Sequence, residues 1–259
     1  MDLGLKGRKA IVCASSRGLG KACATSLVKE GCDVIINGRD ADSLAATQQS
    51  LSALGAGKVH AVCADINTAA GRQALLDACA EPDILVNNNG GPPPGSYRQW
   101  DEAAWLSALQ ANMLAPALLI QAVVDGMRNR RFGRIVNITS AMVKSPHPFM
   151  GLSTSARSAL TAFSKGLSKE IACDNVTINN MLPERFDTDR QEQMAQLAMS
   201  IKGITREEAR AEIAATIAAN RLGQPHEFGD ACAFLCSAQA GFISGQNLLL
   251  DGGSYEGLI

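Results

Sequence analysis

Short apolar, β-branched runs recur down the chain, each followed by a segment of helix length with an amphipathic pattern, and that alternation leaves few folds open. The runs at 9–14, 33–37, 59–64, 84–87, 134–139, 176–181 and 247–250 read as strands. Segments at 18–30, 41–54, 68–80, 101–130, 152–173 and 226–238 read as helices between them. Repeated strand–helix–strand units build a parallel sheet, so the expectation is a three-layer, doubly wound α/β fold with seven strands and helices on both faces. In such a sheet the ligand crevice lies beyond the carboxyl ends of the strands. The stretch 187–220 breaks the alternation. It is helical in pattern and sits between the sixth strand and the last helix, so it reads as a lid over the crevice of a single domain spanning 1–259.

Composition narrows the class of partner. The formal net charge is −1, with Lys and Arg scattered rather than striped, which argues against nucleic acid or an anionic membrane and for a small molecule. No apolar run reaches membrane-spanning length; the longest, 114–124, is interrupted by Pro116 and Gln121. The eight cysteines form no Cys-x-x-Cys pair and have no paired His, so neither a metal site nor a disulfide framework is expected, and a reducing cytoplasm is.

The first strand runs into Ala14-Ser15-Ser16-Arg17-Gly18-Leu19-Gly20 and directly into a helix. Small residues permit a tight turn there, and the free N–H groups of the helix start attract a pyrophosphate. The second strand ends Asn37-Gly38-Arg39, with no acid to accept from a ribose 2′-hydroxyl. Arg39 and Arg17 can instead pair with a 2′-phosphate, which favours NADP(H) over NAD(H), or they are solvated surface arginines. Asp65, followed by Ile66, reads either as a partner for the adenine amino group or as a cap for the helix after Asn67.

Taken in order, these motifs resemble the short-chain dehydrogenase/reductase family, and within it the 3-oxoacyl-acyl-carrier-protein reductases. The likeness covers essentially the whole chain. Residues 13–20 are similar to the family's Thr-Gly-x-x-x-Gly-x-Gly, with Cys13 for Thr and Ala14 for the first Gly. Asn87-Asn88-Asn89-Gly90 resembles Asn-Asn-Ala-Gly, with Asn89 for Ala. Pro183 and Thr188 match the segment beside the nicotinamide, although Glu184 replaces a Gly. The resemblance implies cofactor contacts from residues 15–20, Asn37, Arg39, Asp65, Ile66, Asn88, Asn89, Gly90, Pro183 and Thr188. It also implies catalytic positions at Asn112, Ser140, Ser153 and Arg157, a ketone or secondary alcohol substrate (acyl thioesters among them), and a homotetramer.

At 153 and 157 the family carries Tyr and Lys. Thirteen residues beyond Ser140 the spacing reaches Ser153, and four more reach Arg157. A phenol donates a proton near neutral pH far more readily than a serine hydroxyl, and a guanidinium keeps its charge without passing a proton on. His147, Tyr97, Tyr255 or a water held by Ser140, Ser153 and Asn112 are the substitutes on offer. Two readings follow: an NADP(H)-dependent oxidoreductase with an atypical proton donor, or a nucleotide-binding pseudoenzyme. Glu184 and Arg185 either pair with each other or contact substrate.

Overall fold

In the computed structural model, which describes residues 1–258, the seven apolar runs pair as one parallel sheet in the order β3-β2-β1-β4-β5-β6-β7. The strands are β1 (Lys9–Val12), β2 (Asp33–Gly38), β3 (Val59–Cys63), β4 (Ile84–Asn87), β5 (Gly133–Ile138), β6 (Val176–Pro183) and β7 (Asn247–Leu250). Side chains alternate across a strand, so neighbouring residues enter different cores. Val12, Ile36, Val86 and Val136 pack on one face, and Ile11, Ile35, Leu85 and Ile135 on the other. Both faces are buried, which is why the strands read as unbroken apolar runs.

Helices α1 (Gly18–Lys29), α2 (Ala41–Ser52) and α9 (Pro225–Cys236) supply Leu27, Leu44 and Phe228 to the first core. From α3 (Ala69–Ala78), α5 (Ala115–Asn129) and α6 (Gly151–Ile171) come Leu75, Leu119 and Leu160 to the second. The helix starts are fixed locally: Asp40 accepts from the Ser43 N–H, Thr68 from Gly71 and Asp101 from Ala104. The cap of α3 is therefore Thr68, while Asp65 accepts from Asn67 N–H two residues on, an Asx turn that leads into it.

The segment 101–130 is not one regular helix. After α4 (Glu102–Leu109) it widens into a π-helical turn, Gln110–Leu114, before α5 resumes. Pro116, with no N–H to give, sits in the first turn of α5, and the Ala115 N–H reaches back five residues to Gln110. The continuous run Glu102–Asn129 is long and apolar enough to cross a membrane on length and composition alone, contrary to the sequence expectation. Half of its most apolar window is buried inside the fold, where Leu119, Ile120, Val123 and Met127 meet the second core.

Residues 187–220 form α7 (Asp189–Lys202) and α8 (Arg206–Ala215). The two are tied to each other by Arg206 and Arg210 on Glu192 and by Lys202 on Glu212. At the neck, Phe186 bridges Gly223, so the excursion leaves and rejoins the body at one point.

A row of carboxamides crosses the carboxyl half of the sheet. Asn87 donates to Asn137 at 2.9 Å, Asn137 to Asn180 at 3.0 Å, and Asn180 to Asn247 at 2.8 Å. These residues are in register in neighbouring strands, and Asn137 also donates to Ser164 of α6. An Asn137→Leu substitution removes three of these bonds and strands their buried partners, a loss of about 3 kcal/mol. Urea unfolding followed by circular dichroism measures it.

Candidate active site

The crevice begins at the turn after β1. Ala14 adopts a left-handed conformation (φ 44°), which an L-residue with a Cβ disfavours by roughly 1–2 kcal/mol. That conformation bends the chain so that Ala14 O accepts from Asn88 Nδ2 at 3.0 Å and Ala14 N donates to Asn37 Oδ1 at 3.3 Å. Gly20 packs so closely that a Cβ there would overlap the Ala14 carbonyl oxygen. Gly18, at φ 57°, faces open space on its side-chain side. An open cavity of about 420 Å³ lies against Ser16, Arg17 and Gly18, runs along the flank of α1 past Lys21 and Thr25 to Lys29, and has Thr188 and Pro225 on its other side. Backbone N–H groups at the start of α1 and a roomy, partly cationic cavity beside them fit a dinucleotide pyrophosphate.

The predicted cofactor residues divide into two kinds. Ser15 is fully buried, giving its proton to Val12 O and accepting from Asn37 N. Asn37 is buried too and spends its amide on Val62 O and Ala64 O. Both therefore hold the turn, with β2 and β3 as anchors, rather than facing the cavity. Asn88 is similarly committed, and buried Ile66 packs in the second core. Leu19 packs half-buried against the first core. Arg17, just before α1, and Arg39, just past β2, are both exposed, and neither forms an ion pair among the described residues. Thr188, the residue before α7, donates to Phe186 O at 3.3 Å, and Pro183 ends β6.

Asn89 replaces a small residue with a brace. Its amide donates to Asn67 Oδ1 and Ala111 O, and its Oδ1 accepts from Gly90 N. The loop after β4 is thereby pinned to the loop after β3 and to the π-helical turn. Asn112 lies in that turn, nearly fully buried, with its amide toward Gly90 O at 3.4 Å and no partner for Oδ1 among the described residues. Asn87, Asn112 and Arg157 share the wall of a cavity of about 10 Å³, roughly the room one water needs.

Ser140 caps the short 3₁₀ turn Ala141–Val143. Its Oγ accepts from Met142 N at 3.2 Å, so its own proton stays available to a carbonyl oxygen. Ser153 and Arg157 lie on adjacent turns of α6 and face each other: Arg157 Nε donates to Ser153 Oγ at 3.2 Å. The same guanidinium donates to Ile138 O at 2.7 Å and to Asn89 O at 3.3 Å. Only 9% of Arg157 is exposed, and burial pushes its guanidinium down to about 10. Arg157 is thus a clamp between the ends of β4 and β5, using a fork that lysine does not have.

The walls follow from the remaining loops. Gly95 N donates to Phe149 O at 2.9 Å, which joins the proline-rich turn to the loop carrying His147. Tyr97 stands 66% exposed beneath the Arg98 guanidinium. Glu184 and Arg185 pair at 3.7 Å. Sequence reasoning missed the carboxamide row, although Asn at the carboxyl end of several apolar runs was its visible signal.

Loss of the clamp can be measured. Arg157→Ala leaves two carbonyls and Ser153 without their donor and opens a cavity, lowering stability by about 3 kcal/mol, while Arg157→Lys recovers less than half of that. Chemical denaturation of the three proteins distinguishes these outcomes.

A family model described as enoyl-(acyl carrier protein) reductase matches residues 13–255. The chain is similar to the 3-oxoacyl-[acyl-carrier-protein] reductase FabG of Vibrio cholerae, 30% identical over 253 residues, covering 98% of this chain and 99% of that protein. It is also similar to the NADPH-dependent reductase BacG of Bacillus subtilis, 30% identical over 256 residues and covering 97% and 99% of the two chains. Among solved structures, L-sorbose reductase from Gluconobacter frateurii, complexed with NADPH and L-sorbose, matches with a TM-score of 0.95 at 27% identity over 100% of both chains.

Proposed function

We propose, from the premise that the chain belongs to the short-chain dehydrogenase/reductase family, that it is an NADP(H)-dependent oxidoreductase acting on a ketone or secondary alcohol. The observation that carries the cofactor half is the pair of exposed guanidiniums, Arg17 and Arg39, past the ends of β1 and β2. Ser15, Asn37 and Asn88 around that turn are spent on the fold, whereas these two arginines remain to meet a 2′-phosphate. When bound, such a cofactor supplies hydride. The NADPH complexed with the sorbose reductase and the NADPH dependence of the Bacillus reductase support the same choice.

In this reading Ser15 and Asn37 hold the turn, Ser16, Gly18 and Gly20 line it, and Asn89, Gly90, Pro183 and Thr188 border the nicotinamide end. Ser140 donates to the substrate carbonyl. Asn112 and the Ser153–Arg157 pair keep the loops after β4 and β5 at fixed separation, and the proton comes from a group other than residue 153. Residues 187–220 act as the lid; Leu197 and Ile201 stay exposed on α7, which suits the apolar part of a substrate such as an acyl thioester. The pseudoenzyme reading rests on one specific observation, the engagement of Ser153 Oγ by Arg157 where a phenol would stand.

Titration with both nucleotides, followed by assays on 3-oxoacyl thioesters and simple ketones, separates the readings. NADPH is expected to bind more tightly than NADH. Arg39→Ala or Arg17→Ala should weaken NADPH about 10-fold to 100-fold, with little effect on NADH, because each removes one charge-assisted contact. Tight binding without turnover supports the pseudoenzyme, and failure to bind either nucleotide overturns both readings.

Leu106, Leu114 and Leu118 stay exposed along α4 to α5, and Phe242 and Leu248 at the β7 edge. Two separate apolar faces support assembly through two two-fold axes, a homotetramer. Light scattering is expected to give four times the 27.2 kDa chain mass, and a monomer would refute the assembly.

A further inference from the structure

We infer that the arm of the open cavity along α1 is a second anion site, one that takes a phosphate group separate from the cofactor's diphosphate. The cavity begins at the nucleotide turn, against Ser16, Arg17 and Gly18, and continues past Lys21 and Thr25 to Lys29. Arg17, Lys21, Thr25 and Lys29 follow at steps of four, so they form one stripe on a helical face. The stripe is roughly 18 Å long at the α-helical rise. β1 and β2 are parallel, so α1 between them runs back from their carboxyl ends toward their amino ends. A dinucleotide lies across the carboxyl ends, with its diphosphate on the first turn of the helix. The wall from Lys21 to Lys29 leads away from that crevice and is left to another occupant.

The charges along the arm select its class. Lys21 is half-buried and Lys29 exposed, and neither forms an ion pair among the described residues. On the other side lie Asp187, Asp189 and His226. Asp187 already pairs with Arg210 at 2.8 Å, and Asp230 accepts at 2.8 Å from the hydroxyl of Ser26, which lines the arm. Glu227, next to His226, pairs with Arg221 at 2.7 Å. With Arg17 left to the cofactor, two ammoniums therefore outweigh the one unpaired carboxylate among the described lining residues, Asp189.

A phosphate dianion meets that surplus. Each ammonium presents three N–H donors, and phosphate presents acceptor oxygens on every side, so a point charge on a flexible stem suits it. Lys21 and Lys29 leave the helix two turns apart, about 12 Å, on either side of Thr25, and their long stems can converge on one group between them. Thr25 does not compete for that group, since its hydroxyl donates to Lys21 O at 2.7 Å. The cavity of about 420 Å³ exceeds what a diphosphate fills, and Ala22 and Pro225 add apolar wall, which leaves room for the carbon skeleton of a phosphomonoester.

Isothermal titration of the full-length protein with inorganic phosphate and with glycerol 3-phosphate, at constant ionic strength and with NADPH saturating, tests this. Both are expected to bind one per chain. Replacing the lysines together, Lys21→Met with Lys29→Met, should weaken both about 10-fold or more and leave NADPH affinity within roughly threefold. Lys21→Arg with Lys29→Arg should keep both within roughly threefold of wild type. A tighter ester assigns the arm to a phosphorylated small molecule, a tighter inorganic phosphate to the free ion, and either supports the site. Phosphate compounds that bind only when NADPH is absent occupy the nucleotide turn, and that result overturns the inference. So does equal binding by the methionine variant, or no binding by wild type. None of these readouts needs turnover, so they leave the oxidoreductase reading intact. A protein that binds phosphate through the two lysines but takes no NADPH overturns the cofactor reading alone.

Discussion

Carboxamides at matching positions of β4, β5, β6 and β7 join the carboxyl half of the sheet side chain to side chain. Asn87, Asn137 and Asn180 are buried, and each donates to the next, ending on Asn247 at the sheet edge. Parallel strands are already joined by their backbones, so the row contributes alignment more than cohesion. A one-residue slip of any strand would leave buried amides unpaired, a penalty that fixes the register. Directly above the row lie Asn88–Gly90 on one side and Thr139–Ser140 on the other. The two loops, side by side after the adjacent strands β4 and β5, are thus placed by polar groups beneath them.

Departures from the family pattern become coherent against that support. Asn89 ties its loop to Asn67 and Ala111, and Arg157 clamps Asn89 O to Ile138 O. Ser153, small and buried, gives the guanidinium room and a further acceptor. A lysine and a tyrosine in those positions would each present one polar tip to the crevice. The serine and arginine turn inward instead, bonding to each other and to the carbonyls at the ends of β4 and β5. Ala14 adds to the picture, since its left-handed backbone keeps the turn's shape despite a Cβ that resists it. Energy is stored at the cleft and offset by the hydrogen bonds of Asn37 and Asn88 to Ala14.

Much of the fold was legible because burial on both faces of a parallel sheet writes itself as apolar runs. All seven strands lie within two residues of where those runs place them at either end, and six of the eight cysteines are buried among apolar neighbours. The π-helical turn was not legible, because periodicity through 101–130 reads as one helix and the widening is forced locally near Pro116. Of the row of carboxamides only the Asn residues near the ends of several apolar runs were visible, since each is an ordinary polar residue until register aligns it with the next.

At the site the division runs along the same line. Residue order alone determined the alternating α/β architecture, the nucleotide turn, and the absence of Tyr and Lys at 153 and 157, because these depend on identity and spacing along one chain. Only the tertiary structure decided that Ser15 and Asn37 face inward, that Arg157 is a clamp, and that Lys21 and Lys29 share one cavity with the root of the 187–220 excursion. Residues 29 and 187 are far apart in sequence, and they meet because α9, which packs on α1, starts where the excursion rejoins the body. The two walls come together there by topology, which no local pattern records.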